Sequence, residues 1–275
     1  MTTIAAHAID QDLETWPLSP YISEAQLEEW RRNEANKQLN RASATKKQAF
    51  LKRKATVKGY HHYHRYLKKL NLEPAGKLLE IGAGNFWLSS YLSTFTTVQQ
   101  LVGVELSEQR IRAFREHTLS LFQNAQAEKI TYAVGDMHTI QRPDAYFDYI
   151  VGDAVLHHAD SLVTVLRESW RCLKPGGWFI AFREPLLPKL RRKPPVFNAQ
   201  TPENGSAQYY YIDGWRSAFI NGRFQNIRTC PFYEHHQLKK VPIPWRLQPF
   251  VRLGFTITHR HYYPKICIAA QKPFR

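Results

Sequence analysis

Between residues 77 and 185, short apolar runs alternate with helical stretches, and this alternation restricts the possible folds more than any other feature. Helical patterns occur at roughly 87–95, 107–124 and 160–173. The runs between them have the length and composition of buried strands: KLLEIGAG, QLVGVELS, ITYAVGDM, FDYIVGDAVL and WFIAFREP. Strands that alternate with helices predict an α/β fold with a doubly wound, mostly parallel sheet.

The chain before this region is interpreted as a lid. Residues 1–22 contain the breakers Pro17 and Pro20 and are expected to be irregular. A helix is expected to begin at Ser23, and from Arg31 to Lys77 the pattern is helical and rich in Lys and Arg. We therefore expect residues 1–76 to form an N-terminal helical extension and residues 77–275 to form the main domain.

The chain after residue 185 is predicted to complete the sheet and to cover it. A helix is expected within 209–222, and strands within 223–233 and 265–273. Two segments, at about 186–215 and 234–263, have many prolines and basic or aromatic residues. We interpret both as insertions that cover the active face.

Charge and cysteine content limit the partners and the compartment. The formal net charge is +15 and the pI is about 9.8, which predicts attraction to nucleic acid, acidic lipid or phosphorylated metabolites. The three cysteines are far apart and lack metal-ligand spacing, so a reducing compartment is expected. No secretory signal or membrane-spanning run is recognisable, and we expect a cytoplasmic protein.

The first two strands end in residues suited to a nucleoside ligand. Gly82 and Gly84 permit a tight turn and close approach of a ligand to the backbone, although this pattern alone is also typical of an ordinary strand–helix turn. Glu105 follows about twenty residues later, where a carboxylate can accept both ribose hydroxyls. A dinucleotide fingerprint would have a further glycine where this chain has Trp87, so a ligand without pyrophosphate is favoured.

The next two strands add further polar residues at the same edge of the predicted sheet. Asp136, before Met137, follows the third strand and could accept the exocyclic amine of adenine, or be a turn residue only. The fourth strand ends at Asp153 and is followed by His157 and His158. In doubly wound sheets, ligands bind outside the carboxyl ends of the strands.

Taken in order, LLEIGAGNF, VGVELS, VGDMHTI, FDYIVGDAVLHHAD and CLKPGGWFIAFREP resemble the motifs of class I S-adenosylmethionine-dependent methyltransferases. The likeness covers roughly residues 77–185 and is greatest to the small-molecule group that includes ubiquinone and menaquinone methyltransferases. It implies a Rossmann-like sheet of seven strands whose last strand is antiparallel. It also implies S-adenosylmethionine as cofactor.

The resemblance implies a role for each matching residue. Gly82 and Gly84 would pass beneath the methionine end of the cofactor, and Glu80 would orient its amino group. Glu105 would hold the ribose hydroxyls and Leu106 would pack on the adenine. The adenine edge would be recognised by Asp136 and Met137, while Asp153 or its neighbours would face the methionine part.

Candidate catalytic residues follow the fourth and fifth strands. His157 or His158 could act as general base if the acceptor must lose a proton, although a packing role is the alternative. Arg183 and Glu184 could contact the acceptor or form a surface ion pair.

The cluster Tyr60–Tyr66 contains His61 and His64 on one helix face. Because neither carboxylate nor cysteine completes a ligand set, we expect no metal site and interpret the cluster as part of the lid. Tyr209, Tyr210 and Tyr211 are assigned to the same lid, as packing residues or as an aromatic cage.

The acceptor is predicted to be a small, anionic metabolite that is natural-product, lipid-linked or quinone-like. An RNA methyltransferase that uses the basic surface is the first alternative. Amino-methylating nucleic-acid enzymes resemble one another in an Asn/Asp-Pro-Pro-aromatic motif after the fourth strand, and this chain instead has Asp153-Ala154-Val155-Leu156, which disfavours that chemistry. A non-catalytic cofactor-binding scaffold is the second. The sequence leaves the oligomeric state and the methylated atom open.

Overall fold

A single mixed sheet connects the parts of the chain that the structure describes. The computed structural model describes residues 13–22, 61–187, 210–232 and 265–275, together with residues 24, 27, 28 and 32. The insertion expected at 234–263, most of that at 186–215 and most of the helical extension that begins at Ser23 lie outside the described residues.

Eight strands form the sheet in the order β1-β4-β3-β2-β5-β6-β8-β7. Their bounds are β1 Glu14–Thr15, β2 Gly76–Ile81, β3 Val98–Glu105, β4 Ile130–Val134, β5 Phe147–Asp153, β6 Leu173–Pro185, β7 Gln225–Phe232 and β8 Lys265–Gln271. The helices are α1 His61–Leu70, α2 Trp87–Leu92, α3 Glu108–Leu119, α4 Leu162–Cys172 and α5 Ile212–Asn221. Two short 3-10 helices span Ala127–Lys129 and Leu156–His158.

Neighbouring strands from β1 to β6 are parallel, and β8 is antiparallel to both β6 and β7. This confirms the predicted Rossmann-like α/β fold with an antiparallel last strand. The additional eighth strand is β1, whose two residues pair with Ala133 and Val134 although the sequence predicts no regular structure there. Trp16, next to β1, is buried and explains why this segment is held at the edge of the sheet.

The sheet separates two apolar cores, as strand periodicity requires. Leu78 and Leu79 are consecutive on β2, and each belongs to a different core because side chains on a strand point to alternate faces. One core receives helices α1, α2 and α3, and the other receives α4 and α5. Within the described ranges, no helix has the length and apolar composition that crossing a bilayer requires.

The segment from Leu173 to Gly177, which precedes the predicted strand WFIAFREP, belongs to an irregular first part of β6. Gly176 has φ 79°, and the register between β5 and β6 shifts between Phe147 and Tyr149. The shift accommodates additional β6 residues opposite the start of β5. Regular pairing follows from Tyr149–Trp178 to Asp153–Phe182, so β6 ends at the same edge of the sheet as β5.

Candidate functional site

Four carboxylates lie at or just beyond the carboxyl ends of four adjacent strands. Glu80 is in β2, Glu105 ends β3, Asp136 follows β4 and Asp153 ends β5. Since these strands are parallel neighbours in the order β4-β3-β2-β5, the structure brings the predicted acidic residues to one edge of the sheet. Glu80, Glu105 and Asp136 are buried, so each one needs partners that replace water.

Gly82 and Gly84 form the turn between β2 and α2. Their φ angles are 56° and 58°, in the left-handed region that favours glycine. Glu105 is bound to this turn, because the backbone N–H of Gly84 donates to its Oε2 at 2.8 Å, and Ser107 N donates to its Oε1 at 3.2 Å. The turn and the candidate ribose ligand are therefore one hydrogen-bonded unit, and Leu106 follows it as a partly buried residue.

Glu80 is held from one side by Ser89 of α2. The backbone N–H of Ser89 donates to Glu80 Oε2 at 2.8 Å, and its hydroxyl donates to the same oxygen. Burial raises the pKa of Glu80 to about 8, against the lowering effect of these hydrogen bonds. A cation bound beside Glu80, such as the ammonium group of a methionine moiety, would favour the ionised carboxylate and lower this pKa.

Asp136 is engaged by residues that sequence reasoning did not connect to it. Ser19 N donates to its Oδ2 at 2.6 Å, and His138 donates to its Oδ1 from the backbone at 2.6 Å and from Nδ1 at 3.0 Å. Burial raises the pKa of Asp136, but these hydrogen bonds outweigh burial and lower it. Tyr21 stacks on the His138 ring with centroids 5.3 Å apart, so residues 19–21 cover this end of the site.

Asp153 forms the centre of a second network at the end of β5. The Arg183 guanidinium binds both oxygens of Asp153 through Nε and Nη2, and Tyr63 of α1 donates its hydroxyl to Oδ2 at 2.6 Å. Burial and the neighbouring Asp153 raise the pKa of Tyr63 well above its usual value, so the phenol remains a donor. Helix α1 thus reaches the candidate site, although its sequence pattern predicted only a lid.

His157 pairs with the buried carboxylate of Glu184, for which a surface pair with Arg183 was one of the predicted alternatives. His157 Nδ1 lies 2.9 Å from Glu184 Oε2, and the same carboxylate accepts the backbone N–H groups of Val155, Leu156 and His157. The hypothesis of an Arg183–Glu184 surface pair is wrong, because both side chains are buried and each binds a different partner. The His158 ring lies beside that of His157, with centroids 4.0 Å apart.

The remaining predicted residues have packing roles or lie outside the site. Met137 packs against one core, and the Trp87 indole packs edge-to-face on Phe122 in the other. In the Tyr60–Tyr66 cluster, Tyr63 and Tyr66 are buried and His64 is exposed, while Tyr60 lies outside the described residues. Tyr210 is half-buried, Tyr211 is exposed, and Tyr209 lies outside the described residues. Among the described residues, no group of three His, Cys, Asp or Glu side chains could hold a metal ion.

Polar atoms next to the glycine turn fit the predicted cofactor. Asn85 Nδ2 is a buried donor without an acceptor among the described residues, while Asn85 Oδ1 accepts from Arg110 Nε at 2.8 Å. S-adenosylmethionine carries a carboxylate, an ammonium group, ribose hydroxyls and an adenine amine. The free donor at Asn85 and the carboxylates of the neighbouring strands are complementary to these groups.

Comparisons with known proteins agree with this geometry. The family described as "Methyltransferase domain" matches residues 79–181. The sterol 24-C-methyltransferase of Yarrowia lipolytica is 31% identical over 127 residues, which is 46% of this chain and 32% of that protein. The 2-phytyl-1,4-naphtoquinone methyltransferase of Synechococcus elongatus is 27% identical over 176 residues, 59% of this chain and 74% of that protein. The chain thus spans about a third of the yeast relative.

A solved structure supports the same fold. The phosphoethanolamine N-methyltransferase 2 of Haemonchus contortus, in complex with phosphomonomethylethanolamine and S-adenosylhomocysteine, superposes with a TM-score of 0.59 at 16% identity. The match covers 78% of this chain and 53% of that protein. The matched family shows a methyltransferase domain over residues 79–181, and the solved structure shows the same fold. This part of the chain is similar to the class I S-adenosylmethionine-dependent methyltransferases of the small-molecule group, whose cofactor is S-adenosylmethionine.

Proposed function

We propose that this protein transfers the methyl group of S-adenosylmethionine to a small, anionic acceptor that is a natural-product, lipid-linked or quinone-like metabolite. The observation that carries the proposal is the row of carboxylates at the ends of β2 to β5, next to the turn at Gly82 and Gly84. Such a row matches the hydrogen-bonding groups of the cofactor in their order along the molecule. The cofactor supplies the reactive methyl group on a sulfonium. The protein therefore has to bind the cofactor and the acceptor, orient them towards each other and exclude water.

The cofactor contacts are assigned strand by strand. Glu80 binds the ammonium group, and Gly82 and Gly84 pass beneath the methionine moiety. Asp153, held by Arg183, faces the same moiety from β5. The assignment is supported by the burial of Glu80 and by the hydrogen bond that already connects the glycine turn to Glu105.

The nucleoside end is assigned to β3 and β4. Glu105 accepts the ribose hydroxyls, Leu106 packs on the adenine, and Asp136 with Met137 recognises the adenine edge. Asp136 Oδ2 accepts one hydrogen bond, from Ser19 N, and an oxygen of a carboxylate can accept a second.

His157 is proposed as the general base for acceptors that must lose a proton. If the imidazole is neutral and Nδ1 donates to Glu184, Nε2 is the ring nitrogen that would take up the acceptor's proton. Glu184 acts through His157 and is a positioning residue. His158 is the second candidate, since its ring lies against that of His157.

The anionic acceptor is inferred from charge and from the names of relatives. The net charge of +15 favours negatively charged ligands. The phosphoethanolamine N-methyltransferase 1 of Arabidopsis thaliana, 30% identical over 112 residues, is named for a phosphorylated acceptor, although the match covers 41% of this chain and 22% of that protein. Quinone and sterol acceptors appear in the names of other relatives.

Calorimetric titration of the purified chain with S-adenosylmethionine and S-adenosylhomocysteine tests the cofactor assignment. We expect micromolar binding of both, no binding of NAD, and a loss of at least tenfold in affinity for Glu105→Ala. Glu108→Ala is the matched control, because Glu108 is an exposed carboxylate three residues further on and should leave affinity unchanged. Preference for NAD, or equal affinity of both variants, would contradict the assignment.

The acceptor class is tested next, with protein that binds the cofactor. We expect phosphorylated or carboxylated members of a metabolite panel to gain one methyl group in mass, and their neutral analogues to remain unchanged. Methylation confined to neutral acceptors would overturn the anionic assignment while leaving the cofactor assignment intact.

A further inference from the structure

Two of the three cysteines, which the sequence places 37 residues apart, lie opposite each other in the sheet. Cys230 of β7 and Cys267 of β8 are direct partners in the antiparallel register. Directly opposed residues of antiparallel strands have Cα atoms about 4.5–5.5 Å apart. This separation lies within the range of about 4.4–6.8 Å that disulfides require.

The two cysteine side chains lie close together. Both pack on the same core, and each thiol shifts the pKa of the other. Both cysteines are free thiols in this structure. A covalent bond between them would therefore need no change of strand register.

The two thiols differ in a way that suits stepwise oxidation. Cys230 is partly exposed, and the hydrogen bond from Cys267 and the nearby Lys69 ammonium lower its pKa despite partial burial. Burial raises the pKa of Cys267 well above its usual value. Thiolate character and access together determine which cysteine reacts first, and both point to Cys230.

Cys267 is also connected to the candidate cofactor site. Cys267 lies opposite the irregular part of the β6–β8 pairing, where Arg183 has φ 58° and its backbone N–H opposes the rise of the Cys267 pKa that burial causes. The Arg183 guanidinium holds Asp153 at the end of β5. A sulfur drawn towards Cys230 would be a poorer acceptor for this N–H group and would loosen the residue that positions Asp153.

From this arrangement we infer, first, that Cys230 and Cys267 are a reversible oxidation site. A low-molecular-weight disulfide such as oxidised glutathione converts the two thiols to a cross-strand disulfide. The second part of the inference is that this oxidation weakens cofactor binding through Arg183. The second part rests on the proposed function. The Cys230 thiolate attacks one sulfur of the oxidant and releases one small thiol. Cys267 then loses its proton, attacks the Cys230 sulfur and releases the second small thiol, so the protein gives up two electrons and two protons.

Thiol counting on the full chain tests the site. After treatment with oxidised glutathione and denaturation, we expect the three free thiols of the reduced protein to fall to one, with a peptide cross-link between Cys230 and Cys267 and full recovery in dithiothreitol. Cys172→Ser, in the buried helix α4, should still form the disulfide, whereas Cys230→Ser should not. Cys230→Ser also serves if a variant at the buried Cys267 fails to fold.

Other outcomes of these experiments would contradict one part of the inference or the other. Three thiols left free, a glutathione adduct that persists on Cys230, or a disulfide that includes Cys172 would each overturn the oxidation site. For the second part, we expect the oxidised protein to bind S-adenosylhomocysteine several-fold more weakly than the reduced protein, with recovery on reduction. Equal affinity of both forms would overturn the coupling, whereas no binding by the reduced protein would instead contradict the proposed function.

Discussion

Gly82 and Gly84 have almost the same backbone conformation but different surroundings. A Cβ added at Gly82 would lie 2.1 Å from Val155 Cγ2, whereas one added at Gly84 would first meet the guanidinium group of Arg110, at 3.6 Å. Both positions have positive φ, so both substitutions strain the backbone. Only the first also creates a steric conflict with a buried neighbour.

Substitution of alanine at these two positions therefore lowers the free energy of unfolding by different amounts. We expect Gly82→Ala to lower the free energy of unfolding by roughly 3 kcal/mol, from backbone strain plus overpacking, and Gly84→Ala by about 1 kcal/mol from strain alone. Urea denaturation of the cofactor-free proteins measures both. Equal costs would show that Val155 moves away without penalty.

The residues that hold the candidate site show where sequence reasoning reached its limit. The carboxylates at positions 80, 105, 136 and 153 could be predicted because each follows an apolar run at the edge of the sheet. Their partners could not, since Ser19 is 117 residues from Asp136 and Tyr63 is 90 residues from Asp153. No periodicity or local spacing signals a contact made by a single long-range hydrogen bond.

Among the elements, α1 is the one whose role differs most from its pattern. Lys68 and Lys69 are exposed on one side of the helix, while Tyr63, Tyr66 and Leu67 pack into the core. The strands that follow residue 76 were predictable from apolar runs. Short β1 was not, because two residues carry no periodic signal and its position depends on the burial of Trp16.

Removal of one hydroxyl from α1 tests its attachment to the site. We expect Tyr63→Phe to lower the free energy of unfolding by about 1–2 kcal/mol, because a buried hydrogen bond to the charged Asp153 is lost. Amide hydrogen exchange in α1 should become faster. Tyr149→Phe, which removes a more exposed hydrogen bond to the Glu73 carbonyl, is the control and should cost less than about 0.5 kcal/mol. Equal effects of both variants would argue against an attachment through Asp153.

For the whole molecule, Glu80 connects stability to pH. Its pKa is about 8 in the folded protein, against an ordinary value of 4.5 for a glutamate in water. Between these values the unfolded chain releases the proton while the folded chain retains it, so stability falls as the pH rises. Burial of Glu80 at the candidate site thus lowers the stability of the fold in neutral and alkaline solution.

Glu80→Gln removes this dependence, since the amide oxygen can still accept from Ser89. We expect the variant, without cofactor, to be more stable than the wild type by on the order of 4 kcal/mol at pH 8, with the difference vanishing near pH 4.5. Its affinity for S-adenosylmethionine should fall. Thermal unfolding between pH 4.5 and 8.5 measures the first effect, and Glu108→Gln at an exposed carboxylate should show no such trend. A constant difference across this range would contradict the assignment.

The position of β8 between β6 and β7 has a consequence for synthesis on the ribosome. β7 leaves the ribosome first, yet its described pairing partner is β8, which begins at Lys265. The strands that carry the candidate cofactor site, β2 to β5, are complete by residue 153 and can pair with one another as they emerge. During translation of the intervening residues, β6 and β7 have not yet gained β8, and their unpaired edges are open to chaperones or to another nascent chain.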